Sequence, residues 1–131
     1  MEEPYLVLAD IYVSMEDYDK AMETLGHADA GMGKKENILL KKVRINHTKK
    51  DYLKNEAILK DILTLNESNV EALRMLRDFY IWKKDWDEAY EVEKRIKKFV
   101  KTDEENKRLI GIKYEKALTD FDKQFPQRVD K

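Results

Sequence analysis

Apolar side chains recur along this chain at spacings of three and four residues, the period of a helix face, and the runs come in pairs. Tyr5, Leu8, Ala9 and Tyr12 form one such face, ending near Met15. Ala21, Leu25 and Ala28 form the next, closed by Gly31-Met32-Gly33, where glycine can take the left-handed conformation that ends helices. Leu39 and Val43 mark a leading helix over about 36–48, and Leu59, Ile62, Leu63 and Leu65 mark its partner. The cluster Asn66-Glu67-Ser68-Asn69 then suits both the end of one helix and the cap of another. A third pair opens at Val70 with Leu73, Leu76 and Tyr80 and continues with Ala89, Val92, Ile96 and Phe99. Thr102-Asp103 reads as an N-cap followed by an acidic first turn, opening a seventh helix that carries Ile110, Gly111, Tyr114, Ala117 and Phe121. Pro126 forbids a further regular turn.

Between the paired runs stand Asp17-Tyr18, Asp51-Tyr52 and Asp85-Trp86, an acidic residue followed by an aromatic, at intervals of 34 residues. A fixed period of that length is the signature of stacked helical hairpins. Each pair is expected in the short turn of a hairpin, its aromatic dropping into the seam. The pattern predicts an all-α solenoid in one domain, 1–131: hairpins over about 2–33, 36–66 and 70–101, and a final single helix over about 103–123. The middle hairpin is the weak one. Lys42 and Asn46 fill slots held by Leu8 and Tyr12 in the first hairpin, and Asn55 fills the slot of Ala21. Looser packing, or a buried Asn needing a hydrogen bond, is expected there, and with it mobility or contact with a partner.

Composition agrees with this reading. Charged residues are 40% and apolar ones 42% of 131 residues, with 4 Gly and 2 Pro, which favours helix over disorder or a sandwich of strands. There is no cysteine, which removes disulfides and thiol chemistry. No stretch approaches the roughly 18 apolar residues of a spanning helix, and Met1-Glu2-Glu3-Pro4 lacks the start of a signal peptide, so a cytoplasmic, water-exposed segment is expected. The net charge of −1 is unevenly spread. Residues 1–33 sum to −7, while residues 34–54, with Lys34, Lys35, Lys41, Lys42, Arg44, Lys49, Lys50 and Lys54, sum to +6. Two readings follow: the blocks attract one another across a repeat boundary, or they give a groove one basic wall.

The positions Tyr5, Leu8-Ala9, Tyr12, Tyr18 and Ala21 resemble the tetratricopeptide repeat, as do Leu73, Leu76, Tyr80, Trp86 and Ala89, and Ile110-Gly111 with Tyr114. The resemblance covers residues 2–121 and implies a binding scaffold without catalysis or cofactor. A narrower stretch, Ala72-Leu73-Arg74-Met75-Leu76 with Tyr80, Asp85-Trp86, Ala89 and Tyr114-Glu115-Lys116-Ala117-Leu118, resembles the bacterial lipopolysaccharide assembly protein B family. That family joins a membrane anchor and a small zinc module to its repeats and acts as an adaptor; neither flanking part is in this sequence.

In the repeat family the concave face is lined by the first helix of each hairpin. Counting back from each turn aromatic, the resemblance places Leu6, Val7, Asp10, Val13 and Ser14 there, then Leu40, Lys41, Arg44, His47 and Thr48. From the third hairpin come Arg74, Met75, Asp78, Ile81 and Trp82, and from the last helix Arg108, Leu109, Ile112, Glu115 and Lys116. Such a mixture suits a peptide with an apolar anchor and an acidic group. Asp10, Arg44 and Asp78 each stand eight residues before their aromatic, so they are expected to form a ladder of alternating charge that either pairs internally or yields to a ligand carboxylate. Trp82 lies outside the seam, where it either anchors a partner or packs on Lys116 or Tyr114. The slots that some family members use to grip a terminal carboxylate hold Leu6, Asp10, Lys41, Glu71 and Met75, of which Lys41 alone suits that task.

Other chemistries find little support. His27 and His47 fall in different hairpins without an acidic or thiol cluster at ligand spacing, so no metal is expected. No Gly-rich phosphate loop, HExxH or GxSxG motif occurs. Only Tyr52 accompanies the basic block, and the acidic block beside it repels phosphate, which argues against nucleic acid. The expected partner is a protein or peptide. The alternative is a structural segment of a longer solenoid, docking or self-associating through the outer face of the first hairpin, since Glu2 sits almost on a repeat boundary.

Overall fold

The computed structural model describes residues 1–125, and among them every regular element is a helix. The elements are α1 (Glu3–Ser14), α2 (Tyr18–Met32), α3 (Glu36–Thr48), α4 (Asn55–Leu65), α5 (Val70–Trp82), α6 (Trp86–Lys97) and α7 (Asp103–Gln124). A short 3-10 turn, Tyr52–Lys54, precedes α4. Pro126, expected to stop the last helix, lies outside the described residues. The chain divides into two compact units, Met1–Ala72 and Leu73–Lys131.

The 34-residue period is written into the backbone. Glu16, Lys50 and Lys84 are the non-glycine residues with positive φ among the described residues, at 58°, 62° and 60°. Around each one the same two hydrogen bonds recur. The N–H of Glu16 donates to the Val13 carbonyl (2.9 Å) and that of Asp17 to the Tyr12 carbonyl (2.9 Å). Lys50 and Asp51 repeat this on His47 and Asn46, and Lys84 and Asp85 on Ile81 and Tyr80. This is the Schellman helix end, with the left-handed residue glycine usually supplies. The aspartate that follows starts the next helix. Asp17 Oδ1 accepts from the Lys20 N–H (3.2 Å) and Asp85 Oδ1 from the Glu88 N–H (3.4 Å). Asp51 makes no such cap; its helix begins with the 3-10 turn instead. In two of the three Asp-aromatic pairs the Asp is therefore a helix cap, and in all three the aromatic is the first residue of the next helical turn.

In the first unit α1 packs on α2, α2 on α3 and α3 on α4, with α1 also reaching α3. Ala9, Ala21, Leu25, Ala28, Ile38 and Ile45 form its buried cluster, against which Tyr5, Leu6, Tyr12, Val13 and Tyr18 pack. Three alanines in this cluster let α1 and α2 approach closely. Leu39, Val43, Leu59 and Ile62 are buried in the second hairpin. The polar residues expected to disturb that hairpin are accommodated by hydrogen bonding. Asn46 Nδ2 donates to Asn55 Oδ1 (3.0 Å), and Asn55 Nδ2 to the Val43 carbonyl (3.3 Å). Lys42 forms an ion pair with Asp29 of α2, both largely buried. Of the expected glycine stop, only Gly33 leaves the helix, with φ +77°; Gly31 is still helical. Glu36 at the head of α3 accepts from Asn66 Nδ2 (2.9 Å) and Asn69 Nδ2 (2.5 Å), fixing the loop after α4. Asn69 Oδ1 in turn accepts from the Ala72 N–H (3.0 Å), capping α5 as expected.

In the second unit α6 packs on α7. Leu73, Leu76, Tyr80, Ala89, Val92 and Ile96 are buried as expected and Phe79 joins them, whereas Phe99, expected on the same face, is exposed because α6 ends before it at Lys97. Thr102 Oγ1 caps α7 by accepting from the Glu105 N–H (3.2 Å). The face that α7 buries is a correction. Glu105 and Ile112 turn inward, whereas Ile110, Gly111, Tyr114, Ala117 and Phe121, expected inside, are exposed. Among the described residues no further helix covers that stripe.

The three left-handed turn residues yield a prediction. A side chain there costs about 1–2 kcal/mol relative to glycine, and glycine's added unfolded-state freedom takes back about 0.5–1 kcal/mol, so Lys84→Gly or Lys50→Gly is expected to stabilise its unit by up to about 1 kcal/mol. Denaturant unfolding measures this; destabilisation by both substitutions contradicts the assigned turn geometry.

Candidate functional site

The faces of α1 and α3 carry the first half of the expected groove, within the first unit. Leu6 is half-buried and packs on the core, while Val7 is exposed beside it. Asp10 accepts a bond from Lys41 Nζ at 2.7 Å. Arg44 Nη2 donates to Glu71 Oε2 at 2.6 Å, and both side chains are nearly half exposed. His47 is exposed, its ring edge-on to Tyr52 at 5.1 Å between centroids. Leu40 is buried, a correction to its placement on the open face: α1, α2 and α4 all pack on α3, leaving a narrower exposed strip than an isolated hairpin has.

The expected ladder is also corrected. Asp10, Arg44 and Asp78 do not pair with one another; their partners are Lys41, Glu71 and Arg77. Asp10 meets the residue three positions before Arg44, one helical turn towards the N-terminus. The charge pairing between α1 and α3 is therefore offset from the sequence period, which does not by itself bring identical slots into contact. The acidic and basic blocks do attract one another. Lys41, Lys42 and Lys49 each face an acid of the first 33 residues, namely Asp10, Asp29 and Asp19. Lys34 bonds Asp61 at 2.7 Å, and that hydrogen bond holds its ammonium above the usual lysine range. Of the eight bases of this block, Lys35 and Lys50 make no ion pair among the described residues.

The second unit holds the remaining candidates. Arg74 and Arg108 are exposed and Met75 is half-buried, while Asp78 accepts from Arg77 Nε at 3.0 Å. Ile112 is buried on the packed face of α7 and cannot line a groove. Trp82 is 55% exposed, with the ring of Phe79, one turn earlier on its own helix, 6.0 Å away. Lys116, offered as its alternative neighbour, instead bridges Asp87 (3.1 Å) and Asp120 (3.5 Å); the bond to Asp87 raises its pKa.

The chain matches no protein-family model and no curated protein. Among the described residues no group of three His, Cys, Asp or Glu side chains is placed to hold a metal ion, and no helix is long and apolar enough to cross a membrane.

One constellation escaped the sequence reading. Arg77, 2% exposed, donates from Nη1 to Glu93 Oε1 (2.9 Å) and Glu105 Oε1 (3.2 Å), both carboxylates being buried. Glu93 Oε2 is buried without a donor. Desolvation pushes the Glu93 carboxyl above the ordinary range, against the pull of Arg77, and the neighbouring Glu105 carboxylate adds to the rise. The signal was in the sequence. Arg77 falls between Leu73 and Tyr80, and Glu93 between Ala89 and Ile96, at the helical spacings of an apolar stripe. Two opposite charges in core slots of consecutive helices point to each other.

This network predicts a pH dependence. With its folded-state pKa above the ordinary 4.5 of a glutamate, Glu93 contributes stability that is fully present below that pH and is lost as pH rises through the folded-state pKa. Glu93→Gln keeps an acceptor for Arg77 but does not ionise. The stability of the variant relative to wild type is expected to rise as pH is raised above 4.5, measured by thermal unfolding across pH. A difference independent of pH contradicts a raised Glu93 pKa in the folded state.

Proposed function

We propose that this chain is a non-catalytic adaptor of the tetratricopeptide-repeat kind, whose first-helix faces hold an extended or helical segment of a protein partner. The observation that carries the reading is the strip on α1 and α3 where exposed Val7 and His47 border the Lys41–Asp10 and Arg44–Glu71 pairs. Bases held by internal carboxylates at a surface form a site in which a ligand carboxylate replaces the internal one. Such exchange costs little, because a partly exposed pair contributes about 0–1 kcal/mol. Apolar ligand side chains would then lie against Val7 and Leu6, and a ligand carboxylate against Lys41 or Arg44. Trp82 supplies a second exposed anchor in the other unit.

The alternative, a structural segment of a longer solenoid such as that of a lipopolysaccharide-assembly-type regulator, draws support from the outer face of α1. Leu8, Ile11 and Met15 are exposed there at spacings of three and four, with Met15 at 66%.

Peptides selected from a random display library on the immobilised chain test the first reading. Glu71→Gln frees Arg44 and is expected to strengthen binding of acidic peptides by up to about fivefold, the worth of the exposed pair it removes. Arg44→Glu and Val7→Asp are expected to weaken the same peptides. Selected peptides indifferent to all three substitutions, or no selectable peptide, overturn it.

A further inference from the structure

The exposed stripe of α7 is more ordered than a chance scatter of apolar residues. Ile110, Tyr114, Ala117 and Phe121 follow one another at spacings of four, three and four, and Ile110 and Tyr114 are 67% and 63% exposed. This is the alternation of the core positions of a two-helix coiled coil. It runs opposite the face that Glu105 and Ile112 bury. On one flank stand Lys113 and Asp120, seven residues apart. Lys113 makes no ion pair among the described residues, and Asp120 is held only by Lys116 of its own helix, at 3.5 Å.

From this arrangement we infer that α7 is a self-association surface, pairing antiparallel with α7 of a second copy about a two-fold axis. Antiparallel pairing centred between Glu115 and Lys116 sets Ile110 against Phe121 of the partner subunit and Tyr114 against Ala117 of the partner subunit, a large side chain facing a small one. Gly111 then faces Leu118 of the partner subunit. On the flank Lys113 meets Asp120 of the partner subunit, and the symmetry repeats the pair, so both charges are complemented. The arrangement is isologous and closed, giving dimers and not filaments. The stripe on α1 lacks this self-complementarity, since the charges beside it, Glu3, Asp10 and Glu16, are all acidic. The inference does not rest on the peptide-binding reading, which concerns α1 and α3.

The stripe from Ile110 to Phe121 is about 16 Å long at the helical rise. Contacts of that size sit at the weak end of specific interfaces, so dimer is expected at protein concentrations on the order of 100 µM. Sedimentation equilibrium of the full chain and its variants tests this. Lys113→Asp and Asp120→Lys are each expected to raise the dissociation constant by about tenfold, because like charges then face each other twice. The double variant restores opposite charges and is expected to return to the wild-type constant, a rescue that a merely structural role of either residue does not give. Tyr114→Glu is expected to give monomer, with circular dichroism confirming an unchanged helix content. A wild-type chain that stays monomeric at these concentrations overturns the inference. So does association that survives Tyr114→Glu, that is abolished by Ile11→Glu on α1, or that the double charge swap fails to restore.

Discussion

The left-handed residue at each hairpin turn is the constraint on which the rest of this structure depends. Glu16, Lys50 and Lys84 occupy the same position 34 residues apart, each closing one helix by the same pair of backbone bonds. Adding or losing one residue there rotates everything that follows by about 100° around its helix axis, which would carry Ala21 or Ala89 out of the seam. The conformation is one that glycine favours, yet two lysines and a glutamate hold it. Cooperation of the Schellman bonds with the following Asp cap offsets the local cost. The turn thus sets direction and register together.

Given that register, some slots that face the core are filled by polar residues, and each is answered by a second one. Asn55 replaces the alanine of the first hairpin and meets Asn46, itself in place of Tyr12. Arg77 stands where Ala9 and Val43 stand in the earlier hairpins and meets Glu93 and Glu105. At the more open slot, where the first hairpin exposes Leu8, Lys42 likewise meets Asp29. Removing one member of a buried pair leaves the other desolvated and unmatched, which costs several times what the pair contributes. Such pairs make the correct helix neighbours more distinct from the wrong ones, since an apolar stripe slides where an amide pair cannot.

Charge on the surface follows a similar logic over a longer range. The strongly acidic start and the basic block after it are adjacent in sequence, so they become adjacent helices in the first unit, and Asp10, Asp19 and Asp29 each meet a lysine of α3 or the turn after it. The basic wall that the sequence suggested is in large part consumed by this pairing. What remains on the α1 and α3 faces is a strip of modest net charge with exchangeable ion pairs.

Read alone, the sequence determined the helices, their caps and their order, because these depend on spacings of three, four and 34 and on a few residues with strong local preferences. Thr102, the Asn66-Glu67-Ser68-Asn69 cluster and the glycine stop at Gly31-Met32-Gly33 were legible for that reason, as was the place of the three Asp-aromatic pairs in the turns. It also identified the residues of the middle hairpin that had to find hydrogen bonds. Only the tertiary structure decided which charge meets which: Asp10 pairs with Lys41, one turn from the slot equivalent to its own, and Arg44 pairs with Glu71 at the head of α5. It decided as well that Leu40 and Ile112 are buried and that the stripe of α7 points outward. The side of a helix that is open depends on how many neighbours pack on it, and spacing along one chain segment does not count neighbours.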